Sequence, residues 1–119
     1  MTRFNITLKD AVKFVIYSIF NMKGGEIFIP KCPSYKIMDI AKSINSKAKI
    51  DFIGIRAGEK LHEEMISKDD SNSCYEYSSY YKILPQINDW NIDKKRIKNG
   101  KKVSENFTYN SKNNTQWMN

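Results

Sequence analysis

The sequence is poor in the residues from which metal, disulfide and phosphate sites are usually built. Its 119 residues include one histidine and two cysteines. Cys32 and Cys74 fall outside any CxxC spacing, and with His62 as the lone imidazole they cannot make a four-ligand zinc set. Free thiols in a reducing compartment follow. The five glycines form neither GxGxxG nor a P-loop, so this chain carries no glycine-rich phosphate cradle of those types. None of the seven tyrosines is followed four residues later by lysine, so the Tyr-x-x-x-Lys pair that reductases use for acid-base work is missing as well. No stretch approaches the roughly 18–20 uninterrupted apolar residues of a membrane span. Met1-Thr2-Arg3-Phe4-Asn5 lacks a signal-peptide layout. A cytoplasmic chain of about one domain is expected, with a modest core.

The string His62-Glu63-Glu64-Met65-Ile66 begins like the metalloprotease motif HExxH, but Ile66 takes the place of the second zinc ligand. No metal site is expected, and His62 reads as a half-exposed helix residue. The net charge of +7 is concentrated late in the chain. From Trp90 onward seven lysines and arginines face only Asp93 and Glu105. Interleaved with Phe107, Tyr109 and Trp117, these charges admit a small nucleic-acid-binding module or a non-catalytic interaction module. A solvated tail is the plainer reading, with no specific nucleic-acid partner.

The apolar spacing predicts an α/β chain. Thr7 and Asp10 mark the start of a helix over 8–22, with Leu8, Ala11, Val12, Val15, Ile16 and Ile19 on its inward stripe and Gly24-Gly25 as its stop. Phe14 and Tyr17 fall off that stripe and are expected to face another layer. A strand over 26–29 follows, then a helix capped by Ser34 and running to 45. Ile50, Phe52, Ile53 and Ile55 predict a second strand, and Gly58 a turn into a short helix over 59–66. Residues 69–73 read as polar loop and 75–84 as aromatic extended chain. The expected organisation is an α/β segment over 1–84 and an irregular basic tail over 85–119, anchored by Phe107, Tyr109 and Trp117.

Arg56 stands at the carboxyl end of the predicted strand 50–55, where α/β folds bind their ligands. Its planar guanidinium can hold a phosphate through two parallel bonds, and Glu59 three residues on can accept from a pair of sugar hydroxyls. On the residues alone the plainer reading is that the two side chains pair with each other at an ordinary solvated corner.

The segments "MTRFNIT", "GGEIFIPKCPSYKIMDIAKSI", "IDFIGIRAGEKLHEEMIS", "YYKILP" and "GKKVSENFTYNSKNNTQWM" together resemble, in order and spacing, the C-terminal part of the inverting UDP-N-acetylglucosamine 4,6-dehydratases. These are extended short-chain dehydrogenase/reductases of the polysaccharide biosynthesis protein family that start the route to pseudaminic acid. The resemblance covers nearly the whole chain, and the tail favours this subgroup over the capsule-type dehydratase/epimerases. It departs at Asn5, where an aromatic residue is expected, and at Ala57, where proline is expected. The resemblance implies the C-terminal substrate-binding portion of an extended Rossmann-type enzyme, without the N-terminal layer that binds NADP and carries the catalytic tyrosine and lysine. It further implies Arg56 as a diphosphate ligand, Glu59 as a ribose-hydroxyl acceptor and Arg3 as a second diphosphate ligand. No catalytic residue, cofactor site or turnover is then expected of the chain alone. The complete enzyme would use NADP, take a UDP-sugar and form a homo-oligomer, with the Rossmann domain as this segment's partner.

Overall fold

The computed structural model describes residues 1–86 and 95–118. In chain order the elements are β1 (Thr2–Phe4), α1 (Leu8–Asn21), β2 (Ile27–Pro30), β3 (Ser34–Lys36), α2 (Ile37–Ile44), β4 (Glu64–Ile66), a 3-10 turn (Asp69–Ser73), β5 (Cys74–Glu76), β6 (Tyr80–Ile83), β7 (Lys101–Lys102) and β8 (Tyr109–Asn110). The mixed helix and strand composition matches the α/β expectation. Two compact units share these elements. Unit 1 is Met1–Asn5, Cys32–Glu64 and Tyr109–Asn119; unit 2 is Ile6–Lys31 and Met65–Thr108. Sequence from both sides of residue 84 contributes to each. The stretch of the basic tail at 87–94 lies outside the described residues.

Unit 2 is a four-stranded antiparallel sheet, β2-β6-β5-β7, with α1 beside it. Strand β6 pairs on both sides, with Ile29 opposite Tyr81 on β2 and Cys74 opposite Ile83 on β5. A strand bonded on both edges has little water left to it, and all four β6 residues are buried, Lys82 among them. The Lys82 ammonium donates to the Arg96 carbonyl at 2.8 Å and lies 5.1 Å from the ring centres of Phe28 and Tyr77. Ile29, Ile66, Cys74, Ile83 and Leu84 fill the core.

Helix α1 starts as its sequence predicts, the Thr7 hydroxyl accepting from the Asp10 N–H at 3.1 Å. The face it turns inward is the opposite of the predicted one. Phe14 and Tyr17 pack on Tyr80, with ring centres 6.1 and 5.5 Å apart, whereas Leu8 and Ile19 of the apolar stripe are 82% and 60% exposed. Periodicity finds a stripe on a helix. The partner decides which stripe is covered, and here the aromatic surface of β6 selects the aromatic side.

In unit 1, β1 pairs with β3 in antiparallel register, Arg3 opposite Tyr35. Ser34 is a fully buried strand residue, not the predicted cap of α2. Its N–H donates to the Gln116 carbonyl, its carbonyl accepts from the Met118 N–H, and its hydroxyl accepts from the Asn114 amide. Helix α2 therefore begins after Lys36, without a side-chain cap. Tyr109 is buried against Phe4, ring centres 4.8 Å apart, and its hydroxyl bonds the Cys32 backbone. In unit 2, Phe107 packs on Tyr81. Trp117 stays 39% exposed, and a backbone bridge to Ser34 fixes this residue.

Two further expectations are corrected. Residues 50–55 form no regular element and join no ladder among the described residues; Phe52 and Ile53 are 84% and 77% exposed, and Gly54 has φ +84°. Apolar, β-branched composition favours a strand only where a neighbour supplies the other half of the hydrogen bonds. Residues 59–66 form no helix either. The Leu61 carbonyl accepts from the Thr2 N–H at 2.9 Å and the chain runs on into β4. A helix of two turns is too short to stand against such external pairing.

Candidate functional site

The tight turn Arg56-Ala57-Gly58-Glu59 is closed by the Glu59 N–H donating to the Arg56 carbonyl at 3.0 Å. Gly58, third in the turn, has φ +80°, the sign a type II turn requires there and one that side-chain-bearing residues avoid. The turn is locked a second time. The Arg56 N–H donates to Glu59 Oε2 at 3.1 Å, so the carboxylate folds back on the backbone and is aimed before any ligand arrives.

Arg56 and Glu59 do not form a side-chain ion pair. The Arg56 guanidinium is exposed and makes no hydrogen bond or ion pair among the described residues. Glu59 Oε1 instead lies 4.0 Å from Arg3 Nη2. Arg3 is well anchored. Its Nη1 donates to the Thr2 carbonyl at 2.8 Å, and its Nε lies 3.6 Å from Glu63 Oε1, while Glu63 Oε2 accepts from the Phe4 N–H at 2.8 Å. Arg3 and Glu59 thus belong to one charge cluster. Arg56 and Glu59 share the rim of a hollow of about 570 Å³ whose other walls include Met1, Ile37, Phe52 and Leu61. This hollow offers a free fork-shaped cation, an oriented carboxylate and apolar surface.

Behind the turn lies a network that sequence reading missed. The Thr2 hydroxyl is 2.7 Å from both His62 Nδ1 and the Ser111 hydroxyl, and Ser111 Oγ accepts from the Glu63 N–H at 2.9 Å. Partial burial, together with the cations Lys112, the amino terminus and Arg3, pushes the His62 pKa below its usual value. The tautomer of the ring sets which of Thr2 Oγ1 and His62 Nδ1 donates in this contact. No local signal marks Ser111, since its partners are far away in sequence. No cluster of three or more metal-ligating side chains occurs among the described residues. No helix there is long and apolar enough to cross a membrane.

A profile of the family described as polysaccharide biosynthesis protein matches residues 1–85. The chain belongs to the polysaccharide biosynthesis protein family. Among curated members it is 51% identical to the UDP-N-acetylglucosamine 4,6-dehydratase (inverting) of Campylobacter jejuni subsp. jejuni serotype O:2, over 98% of this chain and 36% of the relative. It is 37% identical to the UDP-glucose 4-epimerase of Rickettsia canadensis, over 95% of this chain and 34% of the relative. Among solved structures, Pen from Bacillus thuringiensis is similar with a TM-score of 0.75 and 27% identity, covering 98% of this chain and 34% of that one. The chain therefore spans about a third of the length of the curated family members it matches. The resemblance to inverting dehydratases holds, with the epimerases further away, and a nucleic-acid module is not favoured.

Proposed function

We propose that this chain forms the nucleotide-sugar half of a UDP-N-acetylglucosamine 4,6-dehydratase cleft. Arg56 grips the diphosphate, Glu59 accepts from the ribose hydroxyls, and Arg3 supports the same diphosphate while holding Glu59 in place. The observation that carries this reading is the division of labour in the turn: Glu59 is oriented by the Arg56 N–H and by Arg3, while the Arg56 guanidinium has no protein partner among the described residues. A preset carboxylate beside an unengaged fork suits a ligand carrying hydroxyls and phosphates together. Half-identity to the Campylobacter dehydratase supports the choice of substrate.

The chemistry of such a dehydratase is hydride removal at C4, loss of water across C5 and C6, and hydride return to C6. NADP would be its carrier. The residues described here do not fit that cofactor: the start of α1 is closed by Thr7 and Asp10, and α2 follows directly on β3 with no glycine turn. No step of this chain is therefore routed through NADP. In this reading a Rossmann domain supplies cofactor, tyrosine and lysine, the complete assembly is a cytoplasmic homo-oligomer, and the 119-residue chain gives no turnover by itself.

Calorimetric titration of UDP tests the reading, with the chain joined behind the part of the Campylobacter dehydratase that precedes its matching segment. Arg56→Ala is expected to weaken UDP binding by about 2–4 kcal/mol through loss of one or two charge-assisted bonds. Arg56→Lys should recover only part of this, since it keeps the charge but not the fork. Glu59→Gln should weaken UDP while leaving pyrophosphate binding nearly intact. Equal UDP affinity in all variants would refute the assignment.

A further inference from the structure

Unit 2 contains a second hollow, of about 680 Å³, that the nucleotide-sugar reading does not use. Its lining brings together Lys23 from the turn after α1, Tyr80 and Lys82 from β6, Tyr77 from the β5–β6 connection, and Arg96 and Lys98 from the turn at 95–99. Lys95 lines it too, and no acidic residue does among those described. The carboxylate tied to these cations is that of Glu26. It is fully buried, 3.1 Å from Arg96 Nη1, and also accepts from the N–H groups of Lys23 and Gly24. One negative charge thus stands against five positive ones. Lys23 and Lys98 have exposed side chains with no carboxylate partner among the described residues.

Like charges converging on a concave, partly apolar wall create a positive potential that grows as water is excluded. The fold adds to it by keeping Lys82 inside. Burial lowers the Lys82 pKa, Glu26 opposes this, and Arg96 and Lys23 lower it further, so the ammonium feels its cationic neighbours. A neutral hydrogen-bond donor is also at hand. Tyr80 receives the Tyr17 hydroxyl at 3.3 Å, and burial pushes its own phenol well above the usual tyrosine range, so it stays protonated. Tyr77, stacked on Tyr80 with ring centres 4.6 Å apart and planes 7° from parallel, forms a flat wall. Gly100 fits against that wall, since a Cβ there would lie 2.6 Å from the Tyr77 hydroxyl.

We propose that this hollow binds the phosphate of a small phosphorylated molecule, with Lys23 and Lys98 as its cationic rim, Lys82 and the Glu26-paired Arg96 as its buried charges and Tyr80 as a phenol donor. The volume is in the range of small-molecule sites and larger than a phosphate alone needs, leaving room for the group that carries it. The cations converge on one hollow instead of tracking along a stripe, which favours a compact ligand over a nucleic-acid strand. All lining residues belong to unit 2, whereas Arg3, Arg56 and Glu59 belong to unit 1, so the two assignments can fail separately.

The test is an amide-resolved NMR titration of the 119-residue chain with pyrophosphate, with sodium chloride at matched ionic strength as control. Saturable shifts are expected at Ser78, Ser79, Lys98 and Asn99. The double variant Lys23→Glu/Lys98→Glu, both changes at exposed positions, should weaken binding by about tenfold or more while the β2, β5 and β6 amides keep their positions. If those amides move, Lys98→Ala alone is used and a drop of about threefold is expected. Arg56→Ala should leave these shifts unchanged. Shifts reproduced by chloride, shifts confined to Arg3 and Arg56, or unchanged affinity in the lysine variants would overturn the proposal. So would an oligonucleotide that binds more tightly as it lengthens.

Discussion

Glu26 illustrates how much one residue can hold. Its carboxylate is fully buried, bridging two backbone N–H groups of the turn after α1 to the Arg96 guanidinium. Removing one member of a buried pair leaves the other desolvated without its counter-charge, so Glu26→Ala is expected to cost about 3–5 kcal/mol, read from urea unfolding followed by circular dichroism. Glu26→Gln, which can still accept, should cost less. The sequence presents Glu26 only as the edge of a short apolar run, and its role depends on a residue seventy positions away. Cys74 makes a different prediction. Burial, reinforced by the carboxylates of Asp70 and Glu76, pushes its thiol from 9.0 up to about 11. Well below pH 9 the thiol is protonated in both states and costs the fold nothing. As the pH rises from 9 towards 11 the unfolded chain ionises first, and stability should fall by on the order of 2 kcal/mol. The buried tyrosines add to this slope, so its fraction due to the thiol is the part abolished in Cys74→Ala; an unaltered slope in that variant would contradict the assignment.

At the scale of elements, the turn at 56–59 makes its own prediction. The residue before a positive-φ glycine in such a turn is where proline is best tolerated, and the Ala57 N–H makes no hydrogen bond among the described residues. Ala57→Pro is expected to stabilise the chain by about 0.4–1 kcal/mol by restricting the unfolded state, visible as a raised thermal midpoint. A lowered midpoint would mean that the turn is not type II. The same turn shows what was legible in the sequence. Arg56 and Glu59 could be seen to share a corner because they are three residues apart, and the cap of α1 could be read because Thr7 and Asp10 are local. Arg3 could not be placed beside Glu59 and Glu63, because β1 reaches them only through the pairing of Thr2 with Leu61. Residues 50–55 and 59–66 failed for a related reason: local composition named an element, and hydrogen bonds to distant backbone, or their lack, decided otherwise. The packed side of α1 differed from the apolar stripe because Tyr80, which Phe14 and Tyr17 meet, is invisible from within residues 8–21.

For the molecule as a whole, the conspicuous property is apolar surface left in water. The α1 stripe of Leu8, Val12, Val15, Ile16 and Ile19 is exposed, as are Phe52 and Ile53. Contiguous apolar surface drives association, so sedimentation should report self-association that rises with concentration. Val15→Lys/Ile19→Lys should shift the chain towards monomer with a stability change of no more than about 0.5 kcal/mol. A monomer at all concentrations before any substitution would contradict this. Contacts also order the molecule in time. The Thr2 hydroxyl meets Ser111 across 109 positions of chain, and Ser34 is enclosed by residues 114–118. At about 5–20 residues per second, translation separates the emergence of Thr2 from that of Ser111 by on the order of ten seconds. Small domains commonly fold faster than that. During synthesis unit 1 is therefore a waiting structure, its first strand made and its last partner still unwritten, and the ribosome sets the earliest moment at which it can close.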